Sequence, residues 1–184
     1  MFVRCLFLLS VIILFPFNGF SQAYKISYSE YQNGIKNEKA IIEMYFADGI
    51  AYLTSGNDQV KDYIDYKREN IVSMISFEGS NYRLNMAFDE LSKGLDSTKI
   101  DTVLGFTCKH KYYNYFSNSI DVFYTLKGPV KGSPYKNFIP SGDALALKII
   151  INGNRELIAD KIEAVDLSML PDYPYDKAVE ISAS

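Results

Sequence analysis

The feature that most constrains this chain is a two-residue rhythm of apolar and polar side chains, cut at short intervals by turn dipeptides. Tyr24, Ile26 and Tyr28 alternate with Lys25, Ser27 and Ser29. Ala40, Ile42, Met44 and Phe46 then share one parity, with Ile41, Glu43 and Tyr45 on the other. Successive side chains of a strand point to opposite faces, so this period marks strands and not helices. Ile71, Ser73, Ile75 and Phe77 continue the pattern, followed by Tyr82, Leu84, Met86 and Phe88. Asn33-Gly34, Asp48-Gly49 and Asn152-Gly153 lie between such runs. Tight hairpin turns need positive φ at their central residues, which Asn, Asp and Gly accept most readily. Turns at this density predict an antiparallel meander and exclude strands alternating with crossover helices. The expected fold is mainly β: a single curved antiparallel sheet or half-barrel with at most short helices.

Some segments depart from the alternation. Ala144 to Ile151 is almost wholly apolar, as expected of a strand covered on both faces. Tyr63 to Lys67 reads as a strand left mostly wet by Asp62, Asp65 and Arg68. Asp89 to Asp96 breaks the rhythm, with Asp89 placed to cap a short helical turn and Gly94 to end it. Strands are expected to resume at Ile100 to Leu104, Phe106 to Phe116 and Ile120 to Tyr124. Leu157 to Leu167 is the last clear strand. The tail from Met169, with Pro171 and Pro174, is expected to be irregular or to pack over an edge.

The first residues belong to another pattern. A lone Arg4 precedes an apolar run from Cys5 to Phe17, and Ser21 and Ala23 offer small residues for cleavage. This is the layout of a secretory signal peptide. A spanning helix needs about 20 apolar residues, and Pro16, Asn18 and Gly19 end the run too soon. Residues 1–23 are therefore expected to be removed after Ala23, leaving 24–184 as a single β-rich extracytoplasmic domain with no stable membrane span. Cys5 sits at the start of the apolar run, where it cannot become a lipidated N-terminus.

Composition narrows the function classes. Without Arg4 the chain carries 18 basic against 22 acidic residues, which argues against nucleic acid as a partner. Cys108 is the one cysteine left, so no internal disulfide is possible, and it reads as a small buried hydrophobe. Cys108 and the sole histidine, His110, share a strand face. Zinc wants three or four protein ligands, so no metal site is expected. Side chains two apart on a strand are about 6.5–7 Å apart at Cα, poor spacing for a Cys–His nucleophile. No G-x-S-x-G elbow, P-loop, dinucleotide fingerprint or calcium loop occurs. The acid pairs Asp62 with Asp65 and Glu156 with Asp160 are expected on solvated strand faces. The chain is thus expected not to be an enzyme and to need no cofactor. Clustered aromatics, among them Tyr112, Phe123 and Tyr124, are the weak candidates for a ligand groove.

Val103-Leu104-Gly105-Phe106-Thr107-Cys108-Lys109, followed by Ile120 to Thr125, resembles the GLPGLI family of exported Bacteroidetes proteins. That family carries an "ILGYKCKK" stretch, a "VWYT" strand and a glycine- and proline-rich loop. Gly132 to Phe138 looks like that loop, and Ile139 to Lys148 departs from the signature that follows it. The resemblance implies a curved sheet of lipoprotein-carrier type, an envelope location and no catalytic residues. It favours a non-catalytic protein that holds an apolar ligand or lipid. The alternatives are an envelope interaction module acting through an edge strand, with an envelope protein as partner, and a hydrolase with an unrecognised site.

Overall fold

The computed structural model describes residues 22–54, 60–88, 93–140 and 143–181. The expected leader lies almost wholly outside these, and so do residues 89–92 of the segment expected to form a helical turn. Twelve strands follow in chain order: β1 (Ala23–Gln32), β2 (Ile35–Ala47), β3 (Ile50–Leu53), β4 (Val60–Asp65), β5 (Asn70–Phe77), β6 (Ser80–Ala87), β7 (Leu95–Val103), β8 (Phe106–Tyr115), β9 (Asn118–Thr125), β10 (Leu145–Ile151), β11 (Arg155–Val165) and β12 (Val179–Ile181). They form one open sheet in the order β12-β6-β5-β4-β3-β2-β1-β11-β10-β9-β8-β7. Every pairing is antiparallel except β12 with β6. The curved antiparallel meander expected from the alternation is the observed architecture. Two 3₁₀ turns, Leu167–Met169 and Tyr175–Lys177, lie in the tail.

The hairpins form where the turn chemistry permits them. Asn33 and Gly34 take φ of 53° and 76°, and Asp48 and Gly49 take 52° and 82°. Both turns join strands in direct register, Gln32 with Ile35 and Ala47 with Ile50. Phe116 and Ser117 adopt the same left-handed geometry, at 45° and 66°. No glycine or asparagine occupies those two positions, so the alternation ends the strand at Phe116 without stating the geometry of the turn. β7 also begins earlier than expected, at Leu95, and β12 emerges from the tail expected to be irregular.

The sheet order shows two meanders, β1 to β6 and β7 to β11, joined where β1 pairs with β11. The halves curl toward each other over a shared core. Ile26, Met44, Ala51 and Ile64 from one half meet Cys108, Phe123, Leu145 and Leu147 from the other. The segment between β9 and β10 runs through this concavity. Gly132 bonds to both Ala144 and Ala146 at 2.9 Å beside β10. A few residues on, the Lys136 ammonium donates to Asp62 and Ser73, both at 2.7 Å, on β4 and β5. Four strands separate β10 from β4 in the sheet, so one short segment can touch both only because the sheet bends around it. The expectation for β10 holds: Leu145, Ala146, Leu147 and Ile149 are fully buried.

A second core lies under the tail. Ile50, Tyr52, Tyr63, Val72 and Met74 pack against Leu170, Tyr173, Tyr175 and Ala178. Asp65 is buried completely, against the expectation of a wet strand. It accepts from the backbone N–H groups of Lys67 and Arg68, from the Arg68 guanidinium and from the Tyr173 hydroxyl. Burial alone would disfavour the carboxylate; four donors satisfy it. Asp62, the other member of that acid pair, instead faces Ser73 and Lys136. Glu156 pairs with Lys148, and Asp160 bonds to Ser29.

Buried phenols give this core a defined pH response. Desolvation pushes Tyr28, Tyr63, Tyr66 and Tyr173 well above the ordinary tyrosine value of 10.0. The folded state holds these protons more tightly, so the unfolded chain releases them first as pH rises. Their contribution is fully present below about pH 10 and is lost above it. The urea midpoint should therefore fall between about pH 8 and about pH 11. A midpoint that does not move would contradict this account.

Candidate functional site

The free edge of the second meander carries an irregularity. β7 and β8 pair regularly from Val103 with Phe106 to Ile100 with Lys109, and again from Ser97 with His110 to Leu95 with Tyr112. Thr98 and Lys99 lie between these stretches as extra residues on β7. Bulges of this kind re-aim side chains and recur beside functional sites. Ser97 closes the bulge by accepting the Lys99 N–H at 3.1 Å.

A cleft of about 490 Å³ opens at the bulge, within the ~300–1,000 Å³ common for small-molecule sites. Asp96, Ser97, Thr98, Lys99 and Ile100 line it from β7. Lys109 and His110 contribute from β8 and Tyr124 from β9. The cross-strand register separates these residues into two faces. His110 stands opposite Phe123 and Tyr112 opposite Asp121, while Lys109 stands opposite Tyr124.

On the first face, His110 Nε2 lies 2.6 Å from Asp121 Oδ1, which also accepts from Lys99 Nζ at 3.2 Å. The imidazole packs on Phe123 with ring centroids 4.8 Å apart. His110 is 2% exposed, and its Nδ1 has no partner among the described residues. The tautomer protonated at Nε2 donates to Asp121 and leaves only a lone pair unmatched, so it costs less than the alternative. The pair ties β8 to β9 and anchors the bulged Lys99 above them.

On the second face, Tyr124 is 7% exposed, and burial, then Asp96, pushes its phenol upward. The hydroxyl therefore stays protonated at neutral pH, available to donate and accept. Lys111 pairs with Asp96 at 3.6 Å and donates to Pro140 O at 2.8 Å. Lys109 is exposed and has no ion-pair partner among the described residues.

The sequence-derived candidates are only partly brought together. Tyr124 lines the cleft, whereas Phe123 lies on the opposite face and Tyr112 stands beside it, half-buried. Cys108 is completely buried, and desolvation raises its thiol pKa, so it is no nucleophile. Among the described residues no group of three or more His, Cys, Asp or Glu side chains could hold a metal. Asp96, Lys99, Lys109 and Asp121 escaped the sequence reading, since only strand register sets them beside His110 and Tyr124. The bulge itself leaves no mark in the alternation.

A family model described as "N-glycanase peptide, N-terminal domain" matches residues 26–177. The chain belongs to that family. Two solved structures of PNGF-II, in P21 and C2 space groups, share the fold of this chain. The first aligns with a TM-score of 0.74 at 19% identity, over 89% of this chain and 32% of the other. The second gives 0.72 at 18%, over 89% and 31%. The chain thus spans about a third of PNGF-II. No curated protein matches.

These findings correct the functional expectation. The family is that of the N-glycanase N-terminal domain and not GLPGLI. The reading as a non-catalytic carrier of a lipid, with no link to an enzyme, falls with that resemblance. The curved face that would have held the lipid is filled by Tyr28, Met44, Leu145, Leu147 and Val130. Of the readings drawn from sequence, the hydrolase alternative fits the N-glycanase family best.

Proposed function

We propose that this protein acts on N-glycosylated proteins, as an exported domain of N-glycanase type that engages the N-linked glycan at the cleft beside the β7 bulge. The observation that carries this reading is the family match across nearly the whole sheet. The cleft supports it chemically: a tyrosine, hydroxyls, a carboxylate and ammonium groups converge there, the mixture that binds the many hydroxyls of a sugar. In this reading residues 1–23 direct export, 24–184 form the single working domain, and the partner is a glycoprotein outside the cytoplasm. Among the described residues no helix is long and apolar enough to cross a membrane.

The test uses one N-glycopeptide and the same peptide without its glycan. Calorimetry should show binding of the glycosylated form only. Mass spectrometry of the incubated glycopeptide reads hydrolysis directly, as loss of the glycan with aspartate left where the unglycosylated peptide has asparagine. Equal affinity for both peptides, with no glycan released, would sink the proposal.

A further inference from the structure

The distribution of charge in the cleft points to a narrower ligand class. Lys99 is held by Asp121, and Lys111 by Asp96 and Pro140 O. Lys109 alone of the three is uncommitted among the described residues, and it stands directly across β8–β9 from Tyr124. An exposed ammonium beside a nearly buried phenol is a ready counter-charge for an anion seated against the tyrosine. The neighbouring acids do not neutralise Lys109, because each is paired with another group. Asp121 already accepts from His110 and Lys99, and Asp96 lies across the strand pair from Lys111.

We infer that the cleft beside the β7 bulge binds an acidic saccharide, its carboxylate on Lys109 and its ring against Tyr124. The inference rests on the glycan-binding reading and adds the sign of charge to it. Asp96, Ser97 and Thr98 then face the sugar hydroxyls as acceptors and donors. A charge-assisted hydrogen bond contributes about 1.5–3 kcal/mol, so an acidic sugar should bind at least about tenfold more tightly than its neutral counterpart.

The test compares sialyllactose with lactose by calorimetry on the full protein and on Lys109→Gln. Lys109 is exposed, so the variant keeps the fold, which circular dichroism checks. The expected result is at least about a tenfold preference for sialyllactose, weakened by salt and lost in Lys109→Gln, where the two sugars bind alike. Tyr124→Phe should weaken both sugars together. Equal binding of the two sugars would overturn the acidic preference while leaving the glycan reading intact. A preference that survives Lys109→Gln would overturn the assignment to this cleft. Binding of neither sugar, alongside retained glycopeptide binding, would do the same.

Discussion

Asp65→Ala should lower the unfolding free energy by about 1–3 kcal/mol, the cost of leaving the partners of a buried acceptor unsatisfied. The carboxylate is fully buried and accepts from two backbone N–H groups, a guanidinium and a phenol. Removing it takes the acceptor from two backbone N–H groups and the Tyr173 hydroxyl, while the Arg68 guanidinium, 40% exposed, keeps Asp176 and water. The Tyr173 hydroxyl, 2.8 Å away, fastens the tail to β4 together with the Tyr63 hydroxyl, which donates to Asp172 O at 2.8 Å. The damage should therefore spread to the second core, where Tyr173 lies 4.6 Å from Tyr63 between ring centroids. Arg68 and Arg83, which bracket Tyr175 at 4.1 and 4.3 Å, would lose their register as well. Urea denaturation measures the loss, and Tyr173→Phe in both backgrounds separates the tail contact from the rest. A loss below about 1 kcal/mol would show that the site relaxes or admits water, contrary to its burial.

Gly132→Ala should cost about 2–4 kcal/mol through two separate effects. Gly132 has φ of 148°, in the region that only glycine enters without strain; such strain is of order 1–3 kcal/mol. A Cβ there would also stand 2.5 Å from Met44 Sδ and 2.7 Å from its Cε. Met44 is fully buried, so it cannot swing into solvent to make room. Overpacking of this kind costs about 1–3 kcal/mol. Shortening Met44 in the alanine background should recover the steric part and leave the conformational part. The substitution should also loosen the segment that runs from Gly132 to Lys136, visible as faster amide exchange at Ala146, whose N–H donates to Gly132 O. Full stability in Gly132→Ala would mean that the backbone at 132 can change conformation freely.

Legibility differed from place to place for physical reasons. The meander was readable because strand period and turn chemistry are local: Asn33-Gly34 and Asp48-Gly49 state their geometry in two residues. The break after Phe116 was readable as well, but the left-handed backbone at Phe116-Ser117 was not, because the pairing of Tyr115 with Asn118 imposes it. Asp65 looked wet because charge usually seeks water. Its donors include Tyr173, 108 residues further along the chain. In the cleft, Tyr124 was noticed as an aromatic, but its neighbours Lys109 and Asp96 reach it only through cross-strand pairing.

A β-rich chain, its principal hairpins and the strand buried on both faces follow from alternation and turn residues, which act over a few positions. The join of the two meanders at β1 and β11, the interior place of Asp65, and the two-residue bulge that sets His110, Lys109 and Tyr124 around one cleft arise only in the assembled sheet. Those outcomes depend on register between strands distant in the chain, and a shift of one residue would send each of these side chains to the opposite face.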